Sequence, residues 1–216
     1  MLPACRTNGE GCSMPTFDVV PSDVEGFMEE LWAFQSTLHD CFARSEPRAP
    51  CFDYMVGQFR KLERKAIEPL ALQVEGGTIR GMQRFISDVH WDEEQMVWNY
   101  HQLIADEMGD PDGVLMFDES GFVKKGQDSV GGARQYCGAL GKVEHCQVGV
   151  FAAYASRHGY ALVDKRLFLP EAWWSDAYAA RRARGNVPPE LTLQSQPQLA
   201  AAMVQAIVQA GLLPCK

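Results

Sequence analysis

Asp118 is the residue whose setting most invites chemistry. It closes the apolar run Val114–Phe117 and is followed by Glu119, Ser120 and Gly121, then by Lys124 and Lys125, then by a glycine-rich stretch. A carboxylate carried at the end of a buried strand is held on a rigid element and can ligate a divalent ion. Enzymes that cut phosphodiesters with two Mg²⁺ ions about 3.5–4 Å apart use such carboxylates, and two or three acids from different strands supply the oxygen ligands. One Asp cannot build that site. Asp118 therefore reads either as a strand-end residue accepting a turn hydrogen bond or as one part of a site completed elsewhere. Lys124, Lys125 and Arg134 lie beside glycines, where little side-chain bulk would keep phosphates away; the alternative is a solvated hairpin tip. Gly126 and Gly131 have the gap of a nucleotide phosphate loop, but Gly132 stands where that loop needs Lys. Cys137, His145 and Cys146 lack the second tight pair of a zinc site.

The elements that would position these residues change period along the chain. The N-terminal part reads as helices. Ser22 with Glu25 after Pro21 forms a capping-box pattern, and Phe27, Leu31, Phe34 and Leu38 follow at helical spacing. "SEPRAP" breaks that helix. A second helix is predicted from about Phe52 to Leu72. After a Gly76–Gly77 turn, Thr78 caps a short helix with Ile79, Met82 and Ile86 inward. A helix beginning at Trp91–Asp92 ends at "GDPDG", 109–113, the best domain boundary. Then strands appear: "GVLMFD", "QVGVFAAYA" with Val148, Val150, Ala152 and Tyr154 alternating, and "YALVDKRLFL" as its hairpin partner. Ser195 caps a helix with Leu199, Met203, Ala206 and Ile207 on one face, closed by Gly211. "LLPCK" reads as the opening of another strand. Three antiparallel strands, a crossover helix and the start of a parallel strand open a ribonuclease H-like domain, an order that other α/β folds share.

The basic residues fall in three groups. "QFRKLERK" places Arg60, Lys61, Arg64 and Lys65 on a helix, and Arg80 and Arg84 are four apart on the next one. A helix pair with a Gly–Gly turn has helix-turn-helix character; the alternative is pairing of these cations with Glu63 and Glu68 on a solvated face. Arg181, Arg182 and Arg184 are either a DNA-backbone contact or plain solvated surface. Trp173 and Trp174 are expected to pack a helix onto the sheet. Asp164, beside Lys165 and Arg166, fits a salt-bridged strand.

Composition bounds the reading. With 216 residues and 46% hydrophobic content the chain can build real cores. The formal charge of -8 argues against simple polyelectrolyte attraction to DNA, but its distribution is uneven. Residues 1–110 carry 9 Lys+Arg against 19 Asp+Glu, and residues 111–216 carry 11 against 9, so the C-terminal half is the better polyanion face. No apolar run approaches about 18 residues, so no membrane span is expected. Seven Cys at irregular spacing without C-x-x-C fit a reducing cytoplasm.

The stretch "DESGFVKKGQDSVGGARQYCGALGKVEHCQVGVF" resembles the first catalytic-strand block of bacterial insertion-sequence transposases of the DDE endonuclease superfamily, most of all the group around insertion sequence seven-hundred-and-one. The resemblance extends through "YMVGQFRKLERKAIEPLA" and "MQRFISDVHWDEEQM" upstream and "LVDKRLFLPEAWWSDAYAARRARGNVP" downstream. It implies metal-dependent DNA cleavage and strand transfer by an Asp, Asp, Glu triad on a ribonuclease H-like fold. Asp118 matches the first Asp and would be a Mg²⁺ ligand, one of several around two ions. The helical region would help bind double-stranded DNA at transposon ends. The second Asp belongs on the strand after the Ser195–Ala210 helix and the Glu further on, so both are expected to be missing.

The expectation is thus an α/β chain in three parts: a poorly defined segment 1–20, a helical and DNA-binding domain 21–110, and an incomplete ribonuclease H-like domain 111–216. Met14 is an alternative start. As a truncated, catalytically incomplete transposase of the bacterial cytoplasm, it would not hold Mg²⁺ stably alone. It would self-associate, join a full-length transposase as an inhibitor, or be a non-functional relic.

Overall fold

The computed structural model describes residues 20–126 and 128–216. The N-terminal segment containing Met14 lies outside them. The chain divides into two compact units between His90 and Trp91.

The first unit is helical. α1 (Pro21–Ser36) starts at Pro21, whose fixed φ suits the first helical position. Asp23, not Glu25, then reaches back to the Val20 N–H at 3.0 Å. α2 (Arg48–Gln58) begins inside "SEPRAP", and α3 (Ile67–Leu72) follows after a non-helical connection. The single helix expected from Phe52 to Leu72 is therefore broken. Pro69 explains the restart: inside a continuous helix it would remove a hydrogen bond and clash one turn back, but in the first turn of α3 it costs nothing. α4 (Ile79–Asp88) is capped as expected, the Thr78 hydroxyl accepting the Gly81 N–H at 3.1 Å. Met82 and Phe85 are its buried residues and Ile86 is exposed. Leu70, Ala71 and Met82 form a small core with Tyr54, Leu62, Ile67 and Ile79 around it.

Cys51 on α2 is buried, and that burial pushes its thiol up to about 11, against a partial lowering by a Gln35 hydrogen bond. Thiolate, not thiol, is the nucleophile, so its reactive fraction near pH 8 falls about 100-fold. Iodoacetamide followed by peptide mapping is expected to label the half-buried Cys215 and spare Cys51. Equal labelling would show that the α1–α2 junction opens readily.

The second unit is a sheet with helices on one face. α5 (Glu93–Met108), capped by Asp92 accepting the Gln95 N–H at 2.9 Å, belongs to this unit. Four strands follow: β1 (Val114–Val123), β2 (Ala133–Cys137), β3 (Lys142–Ser156) and β4 (Gly159–Phe168). All pairings are antiparallel, with β3 central. β1 runs along one side of β3; on the other side β2 pairs with residues 142–146 and β4 with residues 148–156. After β4 come α6 (Ala179–Arg184) and α7 (Gln196–Ala210).

Two strand features depart from the sequence reading. β2 is an additional short strand, formed because Ala133–Cys137 completes the ladder of β3. β1 does not stop at Asp118 but continues through Glu119–Val123, where β3 supplies a partner for every residue and overrides weak strand propensity. Gly121 marks a close approach inside the strand: a Cβ there would lie 2.8 Å from the Cys137 Sγ.

The core lies between the sheet and α5 with α7. Val150, Ala152 and Tyr154 from β3 and Val163 from β4 meet Ile104, Leu199, Met203 and Ile207. The period-two alternation of β3 and the helical face of α7 are as the sequence predicted. A bulge in the β3–β4 ladder leaves Val163 unmatched, and buried His101 lies with its Nε2 2.7 Å from the Val163 carbonyl. Gly211 ends α7 at φ 67°. The chain then returns to the sheet, burying Leu213 and donating the Lys216 N–H to the Gly113 carbonyl at 3.0 Å. An antiparallel sheet followed by a helix that returns beside β1 is the α/β, ribonuclease H-like arrangement. No helix among the described residues is long and apolar enough to cross a membrane.

Candidate nucleic-acid and metal site

Asp118 lies in the middle of β1, opposite Phe151 of β3, and is exposed. Side chains alternate along a strand, so Leu115 and Phe117 enter the core while Val114, Met116, Asp118, Ser120 and Phe122 take the other face. That face is not covered by α5 or α7. One Asp118 oxygen, Oδ1, accepts the Glu119 N–H at 2.9 Å. Glu119 itself, one residue on, belongs to the opposite face. The Phe151 ring leans over Gly149, where a Cβ would come within 2.8 Å of it, and stacks edge-on with Phe122 at 6.1 Å.

Lys165 is opposite Phe151 on the far side of β3, in the same row as Asp118. Its ammonium is bonded at 2.8 Å to Glu93, whose carboxyl that hydrogen bond and charge hold below the usual range. Asp164 is salt-bridged to Arg166 at 2.7 Å, as the sequence suggested, and faces away from Asp118.

The Lys pair follows β1. The Lys124 N–H donates to the His145 carbonyl, which extends the ladder one residue, and Arg134 of β2 is opposite His145 on the other side. Lys124, His145 and Arg134 therefore form a row across three strands on the Asp118 face. The glycine-rich connection from β1 to β2 is held from beneath. The His145 Nε2 lies 3.0 Å from the Gly126 carbonyl, Gln147 donates to Val130, Gln135 donates to Gly131 at 3.3 Å, and the Trp173 indole donates to Gly132 at 3.0 Å. Apart from the Gln135–Gly131 bond, these contacts join positions far apart in sequence, and nothing in the residue types announced them.

The other basic groups differ in their engagement. Arg60, Lys61, Arg64 and Lys65 lie in the exposed connection between α2 and α3, so they do not form the helix face expected of them, and Lys65 is folded onto the Gln58 carbonyl. Arg80 and Arg84 do share α4 and are exposed; Arg84 lies 3.8 Å from Asp88. Arg182 donates to the carbonyls of Trp173 and Ser175, Arg184 pairs with Asp128 at 2.7 Å, and Arg181 stacks over Tyr178 at 4.7 Å. This last group is largely engaged in holding its own unit together.

Among the described residues, no group of three or more His, Cys, Asp or Glu is placed to hold a metal ion. Asp118 offers one carboxylate, and the oxygen donors around it do not fit a two-metal centre.

The family model described as DDE superfamily endonuclease matches residues 37–214. No curated protein and no solved structure matches the chain. Endonucleases of this superfamily act on DNA and in general use divalent metals. With the match spanning most of both units and Asp118 presented on the open face of a ribonuclease H-like sheet, the chain belongs to the DDE superfamily of endonucleases.

Proposed function

We propose that this chain is the part of an insertion-sequence transposase that carries the first catalytic acid, Asp118, and a share of the DNA contacts. The observation that carries this reading is the exposed Asp118 carboxylate at the middle of β1, in a chain matched as a DDE endonuclease. Lys124, Lys125 and Arg134 on the same unit, and Arg60, Lys61, Arg64, Arg80 and Arg84 on the helical unit, are the cations that would meet transposon-end DNA. Because the described residues gather no metal-holding group of acids around Asp118, these residues by themselves are proposed not to cut. That arrangement favours a second role: holding DNA, or a full-length transposase, without catalysis.

Asp118→Ala tests both points in one experiment with transposon-end DNA and Mg²⁺. The expected result is DNA binding by both proteins and cleavage by neither. Mg²⁺-dependent cleavage lost in Asp118→Ala would overturn the incompleteness while keeping Asp118 catalytic. Cleavage equal in both proteins would remove Asp118 from the chemistry.

A further inference from the structure

The open face of the sheet is divided at Asp118. On one side lie Val114 and Met116 of β1, Ala153 and Ala155 of β3, and Tyr160 and Leu162 of β4, an apolar half. On the other lie Ser120 and Phe122 on β1, Gly149, Gln147 and His145 on β3, and then the cations Lys124 and Arg134 with Lys125 beside them. The β1–β2 connection stands over the β3 side of this second half, where His145 and Gln147 hold it and Gly131, at φ 77°, lies against the Phe168 carbonyl. Its one described carboxylate, Asp128, is neutralised by Arg184. What remains open is a track along β1, from the Asp118 carboxylate to the Lys124 end.

We infer that this half-face seats a single DNA backbone running along β1, with phosphates on Lys124, Lys125 and Arg134 and the bond to be cut at Asp118. The inference rests on the transposase reading and deepens it by assigning the path of the DNA. Six residues of strand at about 3.3 Å each separate Asp118 from Lys124 by about 20 Å. The cations position the duplex and carry no sequence information. The apolar half takes no part, since it offers no cation to a phosphate.

The test uses the full chain and a short duplex. Lys124→Ala removes a half-buried side chain and Arg134→Ala an exposed one, and each is expected to weaken binding at least threefold and lower the salt slope by about one. Ser120→Cys, on the track, is expected to attack DNA whose tethered phosphate carries a mixed disulfide, forming a protein–DNA disulfide and releasing the small thiol, above the background of the unchanged chain. Glu119→Cys, on the opposite face, is expected not to. Single methylphosphonates should place the phosphate that Lys124 senses on the same DNA strand as the one crosslinked at position 120. Tight binding that ignores both alanine variants, or equal crosslinking at 119 and 120, would overturn the assigned path and leave the transposase reading standing. Absence of any binding at low salt would overturn both.

Discussion

Replacing Trp173 with alanine is expected to destabilise the sheet unit by about 3–5 kcal/mol, the range for truncating a fully buried tryptophan. Trp173 has no exposed surface, packs beside Tyr178 at 5.3 Å between ring centres, and donates its indole N–H to the Gly132 carbonyl. The substitution opens a cavity and also leaves that buried carbonyl without its partner, so transfer and hydrogen-bond terms add in the same direction. Because Gly132 closes the connection that carries Lys124 and Lys125, the loss is expected to spread there first. Urea unfolding would give the magnitude, and hydrogen exchange at residues 128–137 would report the local loosening. Trp174→Ala is the control: Trp174 is only half-buried, and a smaller cost is expected. Equal costs for the two would mean that the burial of Trp173 is not what holds the connection.

Tyr154→Phe is expected to cost about 2–4 kcal/mol with almost no change in volume, since it strands more than one buried polar group at about 1–3 kcal/mol each. The Tyr154 ring is fully buried on β3, and its hydroxyl accepts the Asp110 N–H at 2.9 Å and lies 2.8 Å from the Pro214 carbonyl and 3.2 Å from that of Asp110. One oxygen thus joins the turn before β1 to the chain after α7. Gly113 is required by the same contact, because a Cβ there would lie 2.2 Å from the hydroxyl oxygen. Gly113→Ala is therefore expected to be destabilising alone and less so when combined with Tyr154→Phe, a coupling that a double-mutant cycle on urea midpoints would measure. Strict additivity would show that the hydroxyl and Gly113 do not share the constraint. Faster exchange of the Asp110 amide in Tyr154→Phe would locate the effect at the turn.

Much of this fold was legible residue by residue. The alternation in β3, the caps of α4 and α7, the start of α5, the Gly211 stop and the strand around Asp118 all rest on near neighbours in the chain, and near neighbours are what a sequence displays directly. Where the reading failed, a local signal met a constraint from outside its window. "QFRKLERK" has helical spacing, yet Pro69 a few residues on forces a restart. "DESG" looks like a strand end, yet the long β3 offers pairing through Val123.

The candidate site divides in the same way. The sequence by itself determined that an acid sits on a strand beside two lysines and a glycine-rich segment. It also carried enough of the DDE pattern to identify the family. Tertiary structure alone decided which face Asp118 shares, and with what. It also decided which cations are left over: Arg184 is consumed by Asp128, 56 positions away, and Arg182 by the Trp173 and Ser175 carbonyls, whereas Lys124 and Arg134 are brought into one row by their common neighbour His145. The reason is physical. A side chain's type and spacing set what it can bond to, but its actual partners are chosen by strand register and packing, which join residues the chain keeps far apart.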